Sequence, residues 1–282
     1  MSFTATTANS AAAWAPDQFT FAAADAVPES LYVTCTTVAG SIEGDQPSVR
    51  AAYVVDDEAT FTAEGSPIDE AQPGLSEVLI HTAKVTQLVR LSNEQYRQTS
   101  TPAQLSQSVS RAITRRADIA LVAEPAPSPG VAPVAGLLNT PGLVDGGEVS
   151  ESLDGLVDLI AELQTNLSTP THVLLDPLGW ASFRKFKTGT AYNSTLLGAG
   201  TSDAQALLLS LPVIVNVALP AYSGLVIDRN AIISAVGQVN IATSSDVYFD
   251  SDSVGLRATW RVGHAVVRPN RCGKFTVAGS GS

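Results

Sequence analysis

The stretch TPAQLSQSVSRAITRRADIALVAE, residues 101–124, decides how the rest of this 282-residue chain is read. Thr101 and Gln104 have the T-x-x-Q spacing of a capping box. Pro102 falls at the first helical position, where its missing N–H costs nothing. Leu105, Val109, Ala112, Ile113, Ala117, Ala120 and Leu121 recur at helical spacing and form one apolar stripe, with Arg111, Arg115 and Arg116 off it. Pro125 cannot continue a helix. The spacing therefore predicts one helix ending at Glu124, about 22 residues or roughly 33 Å at 1.5 Å per residue. That is long for a globular domain and reads as a strut. The following segment, PAPSPGVAP at 125–133, is a stiff linker and the best boundary in the chain.

N-terminal to the strut the pattern is extended. Residues 31–38, LYVTCTTV, are β-branched and aromatic and read as a strand, as does Val49 to Val55. Glu77 to Leu91 alternates, with Val78, Ile80, Thr82 and Lys84 on one face and Leu79, His81, Ala83 and Val85 on the other. Between these runs lie Asp56-Asp57-Glu58, Glu64-Gly65-Ser66-Pro67 and Gln72-Pro73-Gly74. The result is a long two-stranded excursion with a polar tip. A lone hairpin is marginal in water, so this one must lie on another surface. Residues 1–30 read as an extended arm whose aromatics, among them Phe3, Trp14, Phe19 and Phe21, need a neighbour or a fold-back to cover them.

After the linker the chain alternates helix and strand. Leu153, Leu156, Val157, Ile160, Leu163 and Leu167 stripe one helix; His172 to Leu175 is a short strand; Asp176-Pro177 caps and opens a helix to Phe186. Residues 187–203 form a polar loop, 204–209 a helical turn or two, 211–216 and 225–228 buried strands, and 254–267 long closing strands.

Hydrophobic residues make up 45% of the chain and charged residues 15%, which points to a surface largely covered in an assembly. The net charge of -11 repels nucleic acid and anionic lipid over most of the surface, as suits an inner wall that must not trap its cargo. No run approaches the roughly 20 apolar residues of a membrane helix, and residues 1–21 lack the basic and apolar regions of a signal peptide, so a soluble cytoplasmic product is expected. Cys35 and Cys272 fit neither a disulfide framework nor a zinc site and read as reduced thiols. His81, His172 and His264 each lie in an apolar run with no His or Cys partner at i+2 to i+4, and read as packing residues. Asp56-Asp57-Glu58 reads as a solvated turn. Ser182-Phe-Arg-Lys185 and Lys187-Thr-Gly189 match the S-x-x-K and K-T-G of serine acyl-enzymes. In those enzymes, however, the two motifs come from distant parts of the chain. No phosphate loop or dinucleotide fingerprint occurs, so no cofactor, metal or catalytic residue is expected.

The order of features (arm, long hairpin, capped strut, Pro-rich break, α/β region, long closing strands) resembles the major capsid proteins of tailed bacteriophages with the Hong Kong 97-like fold. Four stretches carry the likeness. Glu64-Gly65-Ser66-Pro67, with Lys84 and Leu91-Ser-Asn-Glu94, resembles the extended loop and its return strand. HVLLDPLGW at 172–180 resembles the strand–Asp-Pro–helix step of the axial domain. LPVIVN at 211–216 and GLVID at 224–228 resemble its paired strands, and Arg257 to Pro269 with Lys274-Phe275 resembles the closing strand and tail.

The resemblance implies an α+β protein with an N-terminal arm (1–30) and a peripheral domain (31–133) carrying the extended loop (about 50–85) and spine helix (about 101–124). An axial domain would follow (134–235), then peripheral strands (236–262) and a return to the axial domain with a flexible tail (263–282). It implies a shell subunit of the virion, made in the host bacterial cytoplasm, that assembles with itself into pentamers and hexamers. The shell would enclose double-stranded DNA without reading its sequence and would work with a portal. Contacts between subunits are expected at Trp14, Phe19, Phe21, Phe61, Glu64, Pro67, Arg111, Arg115 and Arg116. Some relatives join subunits through a loop lysine, but residues 50–80 contain none, and Asp252 and Thr259-Trp260 stand where the asparagine and glutamate would be sought. No such cross-link is therefore expected. With the chain starting at Met1, no built-in scaffolding segment is expected, which implies a separate scaffolding protein or none. The rival readings are an encapsulin-type nanocompartment shell, a phage tail or decoration protein, and a serine acyl-enzyme using Ser182 and Lys185.

Overall fold

The computed structural model describes residues 18–21, 27, 29–42, 44–55, 61–62, 64–65, 74–97, 101–187, 197 and 206–279. Two six-stranded sheets and a separate two-stranded hairpin are built around one long helix.

The first sheet centres on β13 (Ser253–Val266), a 14-residue strand. On one side β13 pairs antiparallel with β5 (Ala83–Ser92), and along its length it also pairs with β12 (Val239–Tyr248) and β11 (Ile232–Gly237). β2 (Thr37–Ile42) adds in parallel to β11. β1 (Gln18–Phe21) pairs antiparallel with β12, so this part of the arm folds back on its own chain. The spine helix α3 (Thr101–Ala123) lies against one face of the sheet. Val109, Ile113, Ala117, Leu121 and Val122 are buried with Trp260, Leu256, Val239 and Ile241. The helix ends one residue short of the boundary read from Pro125; of the capping box, Gln104 is exposed and the Thr101 side chain lies outside the described residues.

The second sheet runs β6–β14–β10–β7–β9–β8: Val144–Val149, Gly273–Val277, Ser223–Ile227, His172–Leu175, Leu211–Val215 and Leu207–Leu208. Its central strands are covered on both faces. Leu174, Leu225 and Ile227 face the core beneath α3. Val173, Leu175 and Val226 face a second core with α4 (Asp154–Thr165) and α5 (Pro177–Lys185). Burial on both faces explains why these segments read as unbroken apolar runs. Asp176 caps α5 by accepting from Leu178 N and Gly179 N at 3.0 and 2.9 Å, as the Asp-Pro step predicts.

The structure corrects the sequence reading in four places. Residues 31–38 are not one strand: Leu31–Thr34 forms a helical turn, α1, and only Thr37 onward is extended. Tertiary contacts override the β-branched composition here. Ser30 Oγ accepts from Tyr32 N (3.3 Å), and Asp118 on the spine helix accepts from Leu31 N (2.8 Å) and Ser30 Oγ (2.9 Å). Residues 77–91 are likewise two strands. β4 (Gly74–His81) buries its even positions and pairs with β3 (Ser48–Val55), whereas β5 turns its odd positions inward. The change of phase falls at Thr82, whose N–H and hydroxyl donate to Pro47 O and Gln46 O. Gly263 makes room for it, since a Cβ there would sit 2.3 Å from His81 O. Residues 207–208 are a short strand and not a helical turn, because Leu207–Leu208 pairs with Leu211–Pro212. On α4, Leu156 and Leu163 of the expected stripe are buried with Leu153 and Ile160 packed beside them, but Leu159 joins them in the core while Val157 is exposed, and Leu167 is exposed beyond the helix end.

Buried polar groups fix the core. Asp118, 2% exposed, accepts a third hydrogen bond from Asn216 Nδ2 (3.1 Å), just after β9. Burial raises its pKa, and the bonds from Leu31, Ser30 and Asn216 oppose the rise. His264 lies between Tyr32 and Ala135. A carbonyl can only accept, so Nε2 carries the proton and donates to Ala135 O (3.1 Å), while Nδ1 accepts from the Tyr32 hydroxyl (3.1 Å). Burial lowers the imidazole pKa to about 4.

Two predictions follow from these groups. Asp118→Ala orphans three donors and should destabilise the unassembled subunit by about 3 kcal/mol in denaturant titration. Asp118→Asn, which still accepts from Leu31 N and Ser30 Oγ, should lose less. Equal stability of Asp118→Ala and the parent would refute this account. For His264, the unfolded chain takes up the proton near 6.5 and the folded protein only near 4. Between these values the unfolded state binds more protons, so stability falls as pH falls, by about 3 kcal/mol in all. Asp118, with its raised value, runs the other way, and comparison with His264→Gln cancels its contribution. Unfolding free energies from pH 7 to pH 4 should converge for the two proteins; parallel curves would refute a neutral buried His264.

Candidate assembly surfaces

No metal-binding group of His, Cys, Asp or Glu occurs among the described residues, and no described helix is long and apolar enough to cross a membrane. Both cysteines are buried and free, and burial pushes each thiol up to about 11, which leaves almost no nucleophilic thiolate at neutral pH. Ser182 is 3% exposed on the inner face of α5, while Lys185 is exposed. A serine nucleophile must meet its substrate, so the acyl-enzyme reading of Ser182 and Lys185 fails on access. His81 is half-buried at the end of β4, His172 opens β7 and His264 is core.

What the molecule does present is uncovered surface of defined shape. β3 and β4 pair in one register, from Ser48 opposite His81 to Val55 opposite Gly74. One face of this hairpin packs on the body: Ala51 and Ile80 are buried with Ile42, Ile233 and Ala235, and Val49, Tyr53 and Val78 pack beside them. The other face carries Val54 opposite Leu75 and Arg50 opposite Leu79. Leu75 is 86% exposed, and Val54 and Leu79 are about half exposed. Arg50 pairs with Glu77 at 2.9 Å, both well exposed, a contact of little energetic weight. The hairpin thus packs one face on the body, and among the described residues nothing covers the other.

The residues expected at contacts fall into three groups. Phe61 is fully exposed and Glu64 is exposed at the hairpin tip; Arg111 and Arg115 are exposed on the spine helix. Arg116 is different. Its guanidinium forks onto Glu124, Nη1 to Oε2 at 2.7 Å and Nη2 to Oε1 at 2.9 Å, so it clamps the C-terminal end of its own helix. Phe19 and Phe21 lie in β1 by their backbone, and their side chains, with Trp14 and Pro67, lie outside the described residues. Sequence reasoning missed Asp118, an isolated acidic residue beside a stripe, and it missed the solvent face of the first sheet, which takes shape only once β5 and β13 are paired.

The sequence profile described as "Phage capsid family" matches residues 33–276. This chain belongs to the phage capsid family. Among solved structures, the capsid of a native GTA particle is similar at TM-score 0.63 and 16% identity, covering 86% of this chain and 88% of its own. Proteins of Mycobacterium phage Bobi (TM-score 0.64, 13% identity, 98% and 99% covered) and Microbacterium phage Oxtober96 (0.66, 12%, 97% and 99%) share the fold over nearly the whole length. No curated protein matches the sequence. The chain is a structural subunit of a capsid shell with the Hong Kong 97-like fold.

Proposed function

We propose that this capsid-family subunit assembles into an icosahedral shell around phage double-stranded DNA, with each hairpin laid over a neighbouring copy. The observation that carries this is the hairpin itself. Its exposed face places Val54 against Leu75, and Leu79 beyond them, in one register with nothing of the described residues covering them. A two-stranded sheet is marginal in water without a surface to lie on. Contacts of more than roughly 1,000 Å² would cover such a face, and many weak contacts closed into a shell stabilise one another.

In this reading the first sheet with its spine helix and hairpin is the peripheral domain. The second sheet with α4 and α5 is the axial domain, around which pentamers and hexamers form. Phe61, Glu64, Arg111 and Arg115 touch neighbours, and the aromatics of the arm, Trp14, Phe19 and Phe21, do so with Pro67. The net charge of -11 keeps the wall from holding DNA tightly, so the genome is enclosed without being read. A separate scaffolding protein and a portal complete the particle, and the subunit is made in the bacterial cytoplasm. The family match supports a viral shell over an enzyme-packaging nanocompartment. No catalytic role is proposed.

Negative-stain microscopy of the expressed chain should show closed shells. Replacing residues 56–73 by a two-residue Asn-Gly turn should leave thermal unfolding near the parent's and remove the shells. A parent that stays a monodisperse monomer at high concentration, with and without helper proteins, would refute the proposal.

A further inference from the structure

Little apolar packing ties the hairpin to its own body. Among the described residues of β3 and β4, the fully buried apolar side chains are Ala51 and Ile80, and their buried neighbours on the body are Ile42, Ile233 and Ala235. The hairpin lies over the face of β13 turned away from the spine helix. There Gly263 lets the chain at His81 come so near that a Cβ would sit 2.3 Å from His81 O, and Ala265 and Val267 pack beside the hairpin. Contact among a few such side chains keeps the hairpin near the body but tolerates tilting, because apolar attraction has no direction.

Two arginines supply the direction. The side chain of Arg261, on β13, is 19% exposed. Its Nη1 donates to the Thr82 hydroxyl at 2.7 Å, to Gln46 O at 3.2 Å and to Thr82 O at 3.3 Å. Gln46 stands just before β3 and Thr82 just after β4, so one guanidinium holds both strands at the root. The Asp45 carboxylate lies 3.8 Å from its Nε. Arg268 follows the end of β13, and its Nη2 donates to Val54 O at 2.8 Å. Arg268 is itself fixed to the body through the preceding residue, since Val267 N donates to Ala231 O at 2.9 Å.

The spacing of the two contacts makes them a pair. Arg261 and Arg268 are seven residues apart, at most about 23 Å of extended chain, and Gln46 and Val54 are eight apart, at most about 26 Å. Val54 is the seventh of the eight residues of β3, so the guanidiniums meet that strand near its two ends. A hydrogen bond from a charged donor is roughly twice as strong as a neutral one and is directional. One such contact leaves a pivot. Two at opposite ends of a strand resist both lifting and swinging.

We propose that Arg261 and Arg268 are positioning residues for assembly, which together hold the hairpin at one angle to its own body before another copy is met. This rests on the reading of the protein as a shell subunit whose hairpin lies over a neighbour. It names what sets the hairpin's pose within one subunit and leaves the receiving surface aside. A hairpin that swings must be ordered each time it docks, and that ordering is subtracted from the affinity; a hairpin already braced loses less. The saving recurs at every equivalent contact of a closed shell, so a small loosening in each subunit has a large effect on the whole.

The test removes a donor from the full chain and reads pose and assembly separately. Arg268→Met keeps the apolar stem and loses the bond to Val54 O; Arg268→Lys restores a charged donor. Spin labels on Leu75→Cys, in the hairpin, and Val157→Cys, on α4, report the angle in the unassembled subunit; both positions are exposed, and the native thiols are buried. The parent should give one narrow distance, Arg268→Met a distribution at least about twice as wide, and Arg268→Lys a width near the parent's. In the unlabelled proteins thermal unfolding should stay near the parent's. The concentration needed for shells should rise about tenfold in Arg268→Met and fall back in Arg268→Lys. Arg261→Met should act in the same direction; if it does not fold, the Arg268 variants decide alone. A parent-like distance width in Arg268→Met overturns the proposal. So does a wide distribution with an unchanged assembly threshold, and so does a lysine variant as impaired as the methionine one. A parent chain that forms no shells brings down the underlying reading, and the label distances still decide whether the arginines hold the hairpin.

Discussion

Asp118 accepts hydrogen bonds from Ser30, Leu31 and Asn216, donors from parts of the chain far apart in sequence. Ser30 and Leu31 begin the body after the arm, Asp118 is in the fifth turn of the spine helix, and Asn216 leaves the second sheet. Apolar packing is permissive about rotation and register; a buried carboxylate with three fixed donors is not, because every slip strands a polar group in the core. The spine helix is therefore held at one height and one rotation against both sheets. Everything that depends on its pose follows, including which face of the first sheet is covered and in which direction the hairpin leaves. Asn216 is itself fixed, since its side-chain oxygen accepts from Ala218 N at 2.8 Å.

The second polar cluster works on the same boundary. Tyr32, His264 and Ala135 join the turn after the arm, the central strand β13 and the segment that follows the Pro-rich stretch. Trp260 donates from Nε1 to Gly237 O at 3.0 Å and packs edge-on to Tyr32, so the large aromatic side chains of this core also have their polar atoms used. Both clusters are complete within one chain, so no neighbouring copy is needed to satisfy their polar groups.

Features with local causes were legible in the sequence. The spine helix shows its stripe and its proline stop, α5 shows its Asp-Pro cap, and the hairpin shows two β-branched runs around a polar tip. Features decided at a distance were not. LYVTCTTV has strand composition, yet Asp118, 87 residues away from Leu31, accepts its N–H and starts a helical turn. The run 77–91 keeps its alternation in sequence, yet its buried face switches at Thr82, because the two halves pair with different partners. β6 and β14 were overlooked because Gly146, Gly147 and Gly273 dilute their apolar pattern; Gly146 and Gly273 sit where a Cβ would meet Leu159 at under 3 Å. Of the surfaces, the hairpin was visible as composition. The solvent face of the first sheet was not, because residues such as Lys84 and Arg261 lie 177 positions apart and meet only through strand pairing.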